Sequence, residues 1–167
     1  IKILSRKSNL AIIQAKQVGR EIQDKFPSIT IEYITKKTLG DIDLKTPLSE
    51  MPTTGVFTDD LRNDLIANKC DLAVHSWKDL PLDLGSKTIL AGSLKRADQR
   101  DIIFIKKKLQ ENIKKNKKIK ILSSSPRRIY NLKDFIKNYL PFNLDKVEFE
   151  NIRGNIPSRF KKFLEGN

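Results

Sequence analysis

Four polar side chains, His75, Ser76, Lys78 and Asp79, follow directly on the apolar run Leu72-Ala73-Val74 and are closed off by Leu80-Pro81. Such a run reads as a buried strand, and open α/β sheets place their chemistry just beyond strand C-termini. A carboxylate at Asp79, beside Lys78 and in a chain rich in cations, suits two tasks. It can stabilise a developing positive charge, or shuttle a proton from an acidic N–H; it is less suited to acting as a resting acid. His75 is the one histidine. It belongs to no metal-ligand spacing and no Ser/His/Asp grouping, so a hydrogen-bonded structural role is favoured over a catalytic one.

Three other strand exits share a second kind of chemistry. Ser5-Arg6-Lys7-Ser8 leads into a helix at Asn9, Ser123-Ser124-Ser125-Pro126-Arg127-Arg128 into another, and Arg153-Gly154-Asn155-Ile156-Pro157-Ser158-Arg159 into a third. Ser125 is suited to cap its helix, with Pro126 at the first helical position. Each exit combines free N–H groups at the positive end of a helix, hydroxyl donors and a guanidinium that can grip a carboxylate or phosphate with two N–H bonds. Ser before Pro is also simply a good helix start, and a first-turn Arg is often solvated. Threefold recurrence, with Arg127 and Arg128 adjacent, favours a ligand carrying several anionic groups.

The elements that position these residues read as an α/β chain with a largely parallel sheet. Strands are expected at Ile1–Leu4, Ile29–Ile34, Leu72–Ser76, Thr88–Ser93, Ile102–Ile105, Ile119–Leu122 and Val147–Ile152. Helices are expected at Asn9–Lys25, Phe57–Ala67, Pro126–Leu140 and Ile156–Leu164, with Thr38–Gly55 a long loop. The pattern restarts after the lysine-rich stretch, at Ile119. The expected organisation is an N-terminal α/β domain over 1–95, a hinge at 96–101 and a partial second α/β domain over 102–167.

Composition sets outer limits. The chain has 33 Lys+Arg against 20 Asp+Glu, a net charge of +13, 38% hydrophobic residues and a single cysteine. Its pI is about 9.8 and its mean hydropathy is −0.45. A field of that sign attracts polycarboxylates, phosphates, nucleic acid and acidic membranes alike. The runs Lys106–Lys108 and Lys114–Lys118 read as a solvated loop rather than a nucleic-acid patch. Cys70 alone rules out an internal disulfide, is read as structural, and fits a reducing compartment. No apolar run approaches a membrane span, and the start lacks the pattern of a signal peptide. The first residue is Ile rather than Met, which leaves a removed targeting segment open.

Asp-Leu-Ala-Val-His-Ser-Trp-Lys-Asp-Leu-Pro (71–81) resembles the signature strand of the porphobilinogen deaminase (hydroxymethylbilane synthase) family. Ser5-Arg6-Lys7-Ser8 with Leu10-Ala11 and Gln14, Thr38-Leu39-Gly40-Asp41, Gly55-Val56-Phe57 and Arg96–Asp101 resemble further family motifs in the same order. So do Ser124-Ser125-Pro126-Arg127-Arg128 and Arg153-Gly154-Asn155 through Arg159. The resemblance covers essentially the whole chain. It implies a periplasmic-binding-protein-like (type II) two-domain architecture with mixed, mostly parallel sheets, the second domain incomplete and a third absent. It implies head-to-tail joining of four porphobilinogen molecules with release of ammonia, for tetrapyrrole (heme) synthesis. Asp79 would be the catalytic carboxylate, stabilising the cationic azafulvene-type intermediate. Arg6, Ser8, Gln14, Ser76, Lys78, Ser124, Ser125, Arg127, Arg128, Arg153 and Arg159 would bind substrate or cofactor. The implied cofactor is dipyrromethane, held in the family by a third-domain cysteine that nothing in this chain matches, so the chain alone is expected to be inactive. No metal, nucleic-acid partner or membrane is implied, and a cytoplasmic monomer is expected, an organelle interior remaining open. Thr54 and Asp59 stand where the family usually has loop lysines, and Pro126 where it has Leu. The competing readings are a non-catalytic polyanion binder on the same fold and, on charge alone, a nucleic-acid-binding module.

Overall fold

The structure, a computed structural model, describes residues 1–43, 46 and 55–166. It divides into two compact units, Ile1–Arg96 and Ala97–Asn167. Both are α/β, and their sheets are parallel.

The first unit begins with β1 (Lys2–Arg6), whose apolar Ile3 and Leu4 are buried. Ser8 caps α1 (Asn9–Lys25), its hydroxyl accepting from the Ala11 N–H at 3.4 Å. This helix is the crossover that lets β2 (Glu32–Lys36) return parallel to β1, in register from Lys2 opposite Glu32 to Arg6 opposite Lys36. A one-turn helix α2 (Leu39–Ile42) and then α3 (Asp59–Ile66) precede the short strand β3 (Leu72–Ala73). β3 pairs with the other side of β1, giving the order β2-β1-β3. The core is Leu4, Leu61 and Cys70, with Ile34, Leu65 and Ala73 packed against it.

The strand expected to run to Ser76 keeps its ladder only through Ala73, plus one further bond from Val74 N–H to Leu4 carbonyl at 2.9 Å. Trp77–Asp79 then forms a 3₁₀ turn closed by Asp79 N–H to Ser76 carbonyl at 2.9 Å. Asp59 lies in the first turn of α3, where a carboxylate offsets the positive helix end. Thr54 and the middle of the expected loop lie outside the described residues. Thr88–Ser93 was expected as a strand; no ladder forms there among the described residues, and Ile89 stays 85% exposed. β-Branched composition favours an extended backbone, yet a strand exists only where a neighbour takes up its N–H and carbonyl groups.

In the second unit, Ile102–Ile105 likewise forms no ladder among the described residues. Phe104 instead packs edge-on against Phe160, with ring centres 5.5 Å apart. The lysine-rich stretch differs from the expected loop: a 3₁₀ turn (Lys107–Leu109) runs into α4 (Gln110–Asn116), anchored by buried Ile113. Gln, Glu and Lys are good helix formers, and one apolar anchor suffices to seat a two-turn helix. Then come β4 (Lys118–Leu122), α5 (Pro126–Tyr139), β5 (Lys146–Glu150) and α6 (Ile156–Glu165). β4 and β5 pair in parallel from Lys118 opposite Lys146 to Leu122 opposite Glu150. Among the described residues, no helix is long and apolar enough to cross a membrane.

Candidate active site

Parallel pairing brings strand ends together, and this builds the first half of the site. Leu4 lies opposite Ala73, so Arg6 at the end of β1 and the turn after β3 emerge on one edge. Arg6 Nη1 is 3.6 Å from the Asp79 Oδ2, and both side chains are 20% exposed. Ser76 donates its hydroxyl proton to Gln14 Oε1 at 3.0 Å, tying this turn to α1. Ser8 stands at the N-terminus of that helix, and Lys78 is exposed on the turn. The sequence-expected residues Arg6, Ser8, Gln14, Ser76, Lys78 and Asp79 thus all lie at the C-terminal edge of one parallel sheet. Trp77, on the same turn, is 65% exposed.

His75 is half-buried. Burial pushes its imidazole pKa below the ordinary value, Asp79 opposes that, and Arg6 adds to it. The shift favours the neutral imidazole. Cys70 is buried in the core, and burial, followed by Asp64 and Asp71, pushes its thiol pKa up. A buried, protonated thiol is a poor nucleophile and a poor attachment point.

Asp41 is a member of this constellation that sequence reasoning assigned no role. It ion-pairs with Arg6 through two acceptor oxygens, Nε donating to Oδ2 at 3.1 Å and Nη2 to Oδ1. Burial pushes its carboxyl pKa up, but the hydrogen bonds from Arg6 and then Thr38 outweigh this and hold it below the usual carboxylate range. Phe57 adds its ring, 4.1 Å from the Arg6 guanidinium carbon. The available signal was Thr38-x-x-Asp41, a capping pattern; it announces a helix start but not a partner for Arg6.

The second unit repeats the construction. Ser123 N–H bonds to Glu150 carbonyl at 2.9 Å, continuing the β4–β5 ladder to the strand ends. Ser124 Oγ then donates to Ile152 carbonyl and accepts from Ile152 N–H, both at 2.7 Å. That hydroxyl is a clasp between the two strand exits, with one acceptor lone pair left over. Ser125 caps α5, accepting from Arg128 N–H at 3.4 Å. Asn155 caps α6, accepting from Ser158 N–H at 2.9 Å and from its hydroxyl at 2.7 Å. Gly154, with φ +113, makes the left-handed step that a side chain would resist, and its carbonyl accepts from Arg159 Nε at 2.7 Å.

The clasp sets the two helix N-termini side by side and gathers their arginines. Arg128 donates from Nε to Asp101 at 2.9 Å, while the more exposed Arg127 reaches the same carboxylate at 3.6 Å. Arg159 is half-buried, and its pKa is lowered by burial first and then by the positive charges of Arg128 and Arg153. Guanidiniums that repel one another at the positive ends of two helices form a strong anion trap. Asp101 supplies one neutralising carboxylate. Among the described residues, no group of three or more His, Cys, Asp or Glu is arranged to hold a metal ion.

Comparison with known proteins agrees with this chemistry. The family model described as "Porphobilinogen deaminase, dipyromethane cofactor binding domain" matches residues 1–167. The chain is similar to a probable porphobilinogen deaminase of Thermoplasma volcanium, 36% identical over 99% of this chain and 51% of the relative. It is similar to porphobilinogen deaminases of Chlorobium luteolum, 38% identical over 97% of this chain and 49% of the relative, and of Chlorobaculum parvum, 38% identical over 100% and 51%. The chain spans about half the length of the curated relatives it matches. With a family model matched along its full length, the chain belongs to the porphobilinogen deaminase family.

Proposed function

We propose that this chain is the N-terminal part of a hydroxymethylbilane synthase, which joins four porphobilinogen molecules head to tail with loss of ammonia. The observation that carries the reading is the placing of Arg159 near Arg128 and Arg153, beside the capped N-termini of α5 and α6. Cations gathered at helix N-termini favour anionic ligands, and the acetate and propionate groups of a pyrrole are carboxylates of the right kind. Arg127, Arg128, Arg153 and Arg159, with the Ser125 hydroxyl, bind these groups in the second unit. Arg6, Ser8, Gln14, Ser76 and Lys78 serve the first.

Asp79 acts on the reacting pyrrole. As the aminomethyl nitrogen leaves as ammonia, positive charge develops on the ring, and a carboxylate at 20% exposure is well placed to stabilise it. The same oxygens accept and return the pyrrole N–H proton. Arg6, held by Asp41, keeps Asp79 oriented without neutralising it outright.

The dipyrromethane group of the family fits the donor set by its chemistry. It carries carboxylates, and the second unit offers guanidinium forks and helix N-termini to match. When bound, it supplies the pyrrole chain end to which further units are joined. Cys70, being buried in the core, is not its attachment point. We further propose the periplasmic-binding-protein-like arrangement of the two units, with a hinge at 96–101, in a monomeric cytoplasmic protein; the single thiol supports a reducing compartment.

The test is turnover by the full-length protein containing this chain. Incubation with porphobilinogen should release one ammonia per pyrrole consumed and yield a linear tetrapyrrole. Tight porphobilinogen binding with no ammonia would instead establish the non-catalytic polyanion binder.

A further inference from the structure

The loop Thr38-Leu39-Gly40-Asp41 brings a second carboxylate to the site of the first unit. Asp41 Oδ2 accepts from Thr38 N–H at 3.2 Å, from Thr38 Oγ1 at 2.9 Å and from Arg6 Nε at 3.1 Å. Its other oxygen accepts from Arg6 Nη2. The guanidinium also stacks 4.1 Å from the Phe57 ring centre. Phe57 in turn lies flush on Gly40, where a Cβ would overlap the ring. One edge and one face of the Arg6 group are therefore fixed by the protein. Nη1 remains, and it is 3.6 Å from Asp79.

A lone Arg–Asp contact at 3.6 Å leaves both side chains free to rotate, because holding an arginine still costs its rotamer freedom. Here Asp41 and Phe57 have already fixed it. We propose that Asp41 is a positioning residue, clamping Arg6 so that its remaining N–H edge holds the Asp79 carboxylate in a single orientation toward the reacting pyrrole. Asp41 acts through Arg6 and does not touch substrate. The proposal rests on the reading of Asp79 as the reacting carboxylate and deepens it.

Two measurements on the full-length protein test it. Arginine side-chain NMR should show an Arg6 Nε–H protected from solvent exchange, and Asp41→Asn should abolish that protection. Its amide oxygen still accepts from Thr38, so the helix start survives. In steady-state turnover, Asp41→Asn should lower kcat about 10–100-fold, the scale of a misplaced catalytic group, with KM changed less than about threefold. Asp41→Glu should recover a large part of that loss. In an Arg6→Lys background, Asp41→Asn should cost less than about twofold, since residues acting through one another are not additive.

A full, additive loss in the Arg6→Lys background would overturn the proposal. So would an Arg6 signal that stays protected in Asp41→Asn. If Asp41→Asn fails to fold, Asp41→Ser, which keeps a short acceptor for Thr38 but does not reach Arg6, carries the same two readouts. Should the wild type prove inert toward porphobilinogen, the functional reading fails, and the Arg6 signal still decides whether Asp41 holds the guanidinium.

Discussion

Asp79→Asn in the full-length protein is expected to lower kcat about 10³-fold while substrate affinity stays within about threefold. The amide keeps the shape and one acceptor oxygen of the carboxylate, so the 3₁₀ turn at Trp77–Asp79, built on backbone bonds, is left intact. It removes the negative charge that faces the developing cation, and it cannot take up a proton from pyrrole nitrogen. Both losses fall on the transition state and not on the bound substrate, which is why kcat drops and KM does not. Pre-steady-state mixing with porphobilinogen, followed by ammonia release, reads the two quantities separately. A parallel loss of affinity would place Asp79 among the binding groups instead.

Arg159→Met should weaken binding of porphobilinogen about 10–100-fold, the effect of removing one charged hydrogen bond of about 1.5–3 kcal/mol. Met keeps the apolar stem of this half-buried side chain. It also relieves the repulsion that Arg128 and Arg153 exert on Arg159. The ligand-free protein is therefore expected to gain, or at least not lose, stability while affinity falls. That opposition separates a binding role from a structural one: denaturant unfolding without ligand and calorimetric titration with it should move in opposite directions. Loss of stability with unchanged affinity would assign Arg159 to the fold, through its bond to the Gly154 carbonyl.

What the sequence discloses here divides by range. α1 is legible to the residue, Asn9 to Lys25, because Ser8 is a strong cap and the apolar spacing is helical. The same local chemistry, Ser125 then Pro126 and Asn155 then Pro157, reveals the starts of α5 and α6. Thr88–Ser93 and Ile102–Ile105 read as strands for an equally local reason, their composition. A ladder, however, is a property of two segments, and neither finds a partner among the described residues. The lysine stretch misleads in the opposite direction: charge suggests solvated loop, while propensity and buried Ile113 make α4.

The site follows the same rule. Arginines at strand exits are visible one at a time, and parallel topology says that they share an edge. No local pattern says that Asp41 closes on Arg6 from 35 residues away, or that Ser124 both donates to and accepts from Ile152. Those pairings come from sheet register and loop path. They also add partners that no local pattern announces: Ser124 clasps Ile152, and Arg6 is held by Asp41.

On the proposed function, the arginine clusters of this chain select the carboxylates of an acidic pyrrole, beyond a general response to a charge of +13. The most direct measurement of that selection is equilibrium binding of porphobilinogen to the full-length Asp79→Asn protein, beside its neutral diester and a single-stranded RNA, over a range of salt. The diacid should bind at least about 30-fold more tightly than the diester. RNA binding should be weak and should vanish at moderate salt. Equal affinity for acid and ester, or RNA outcompeting the diacid, would contradict that selection.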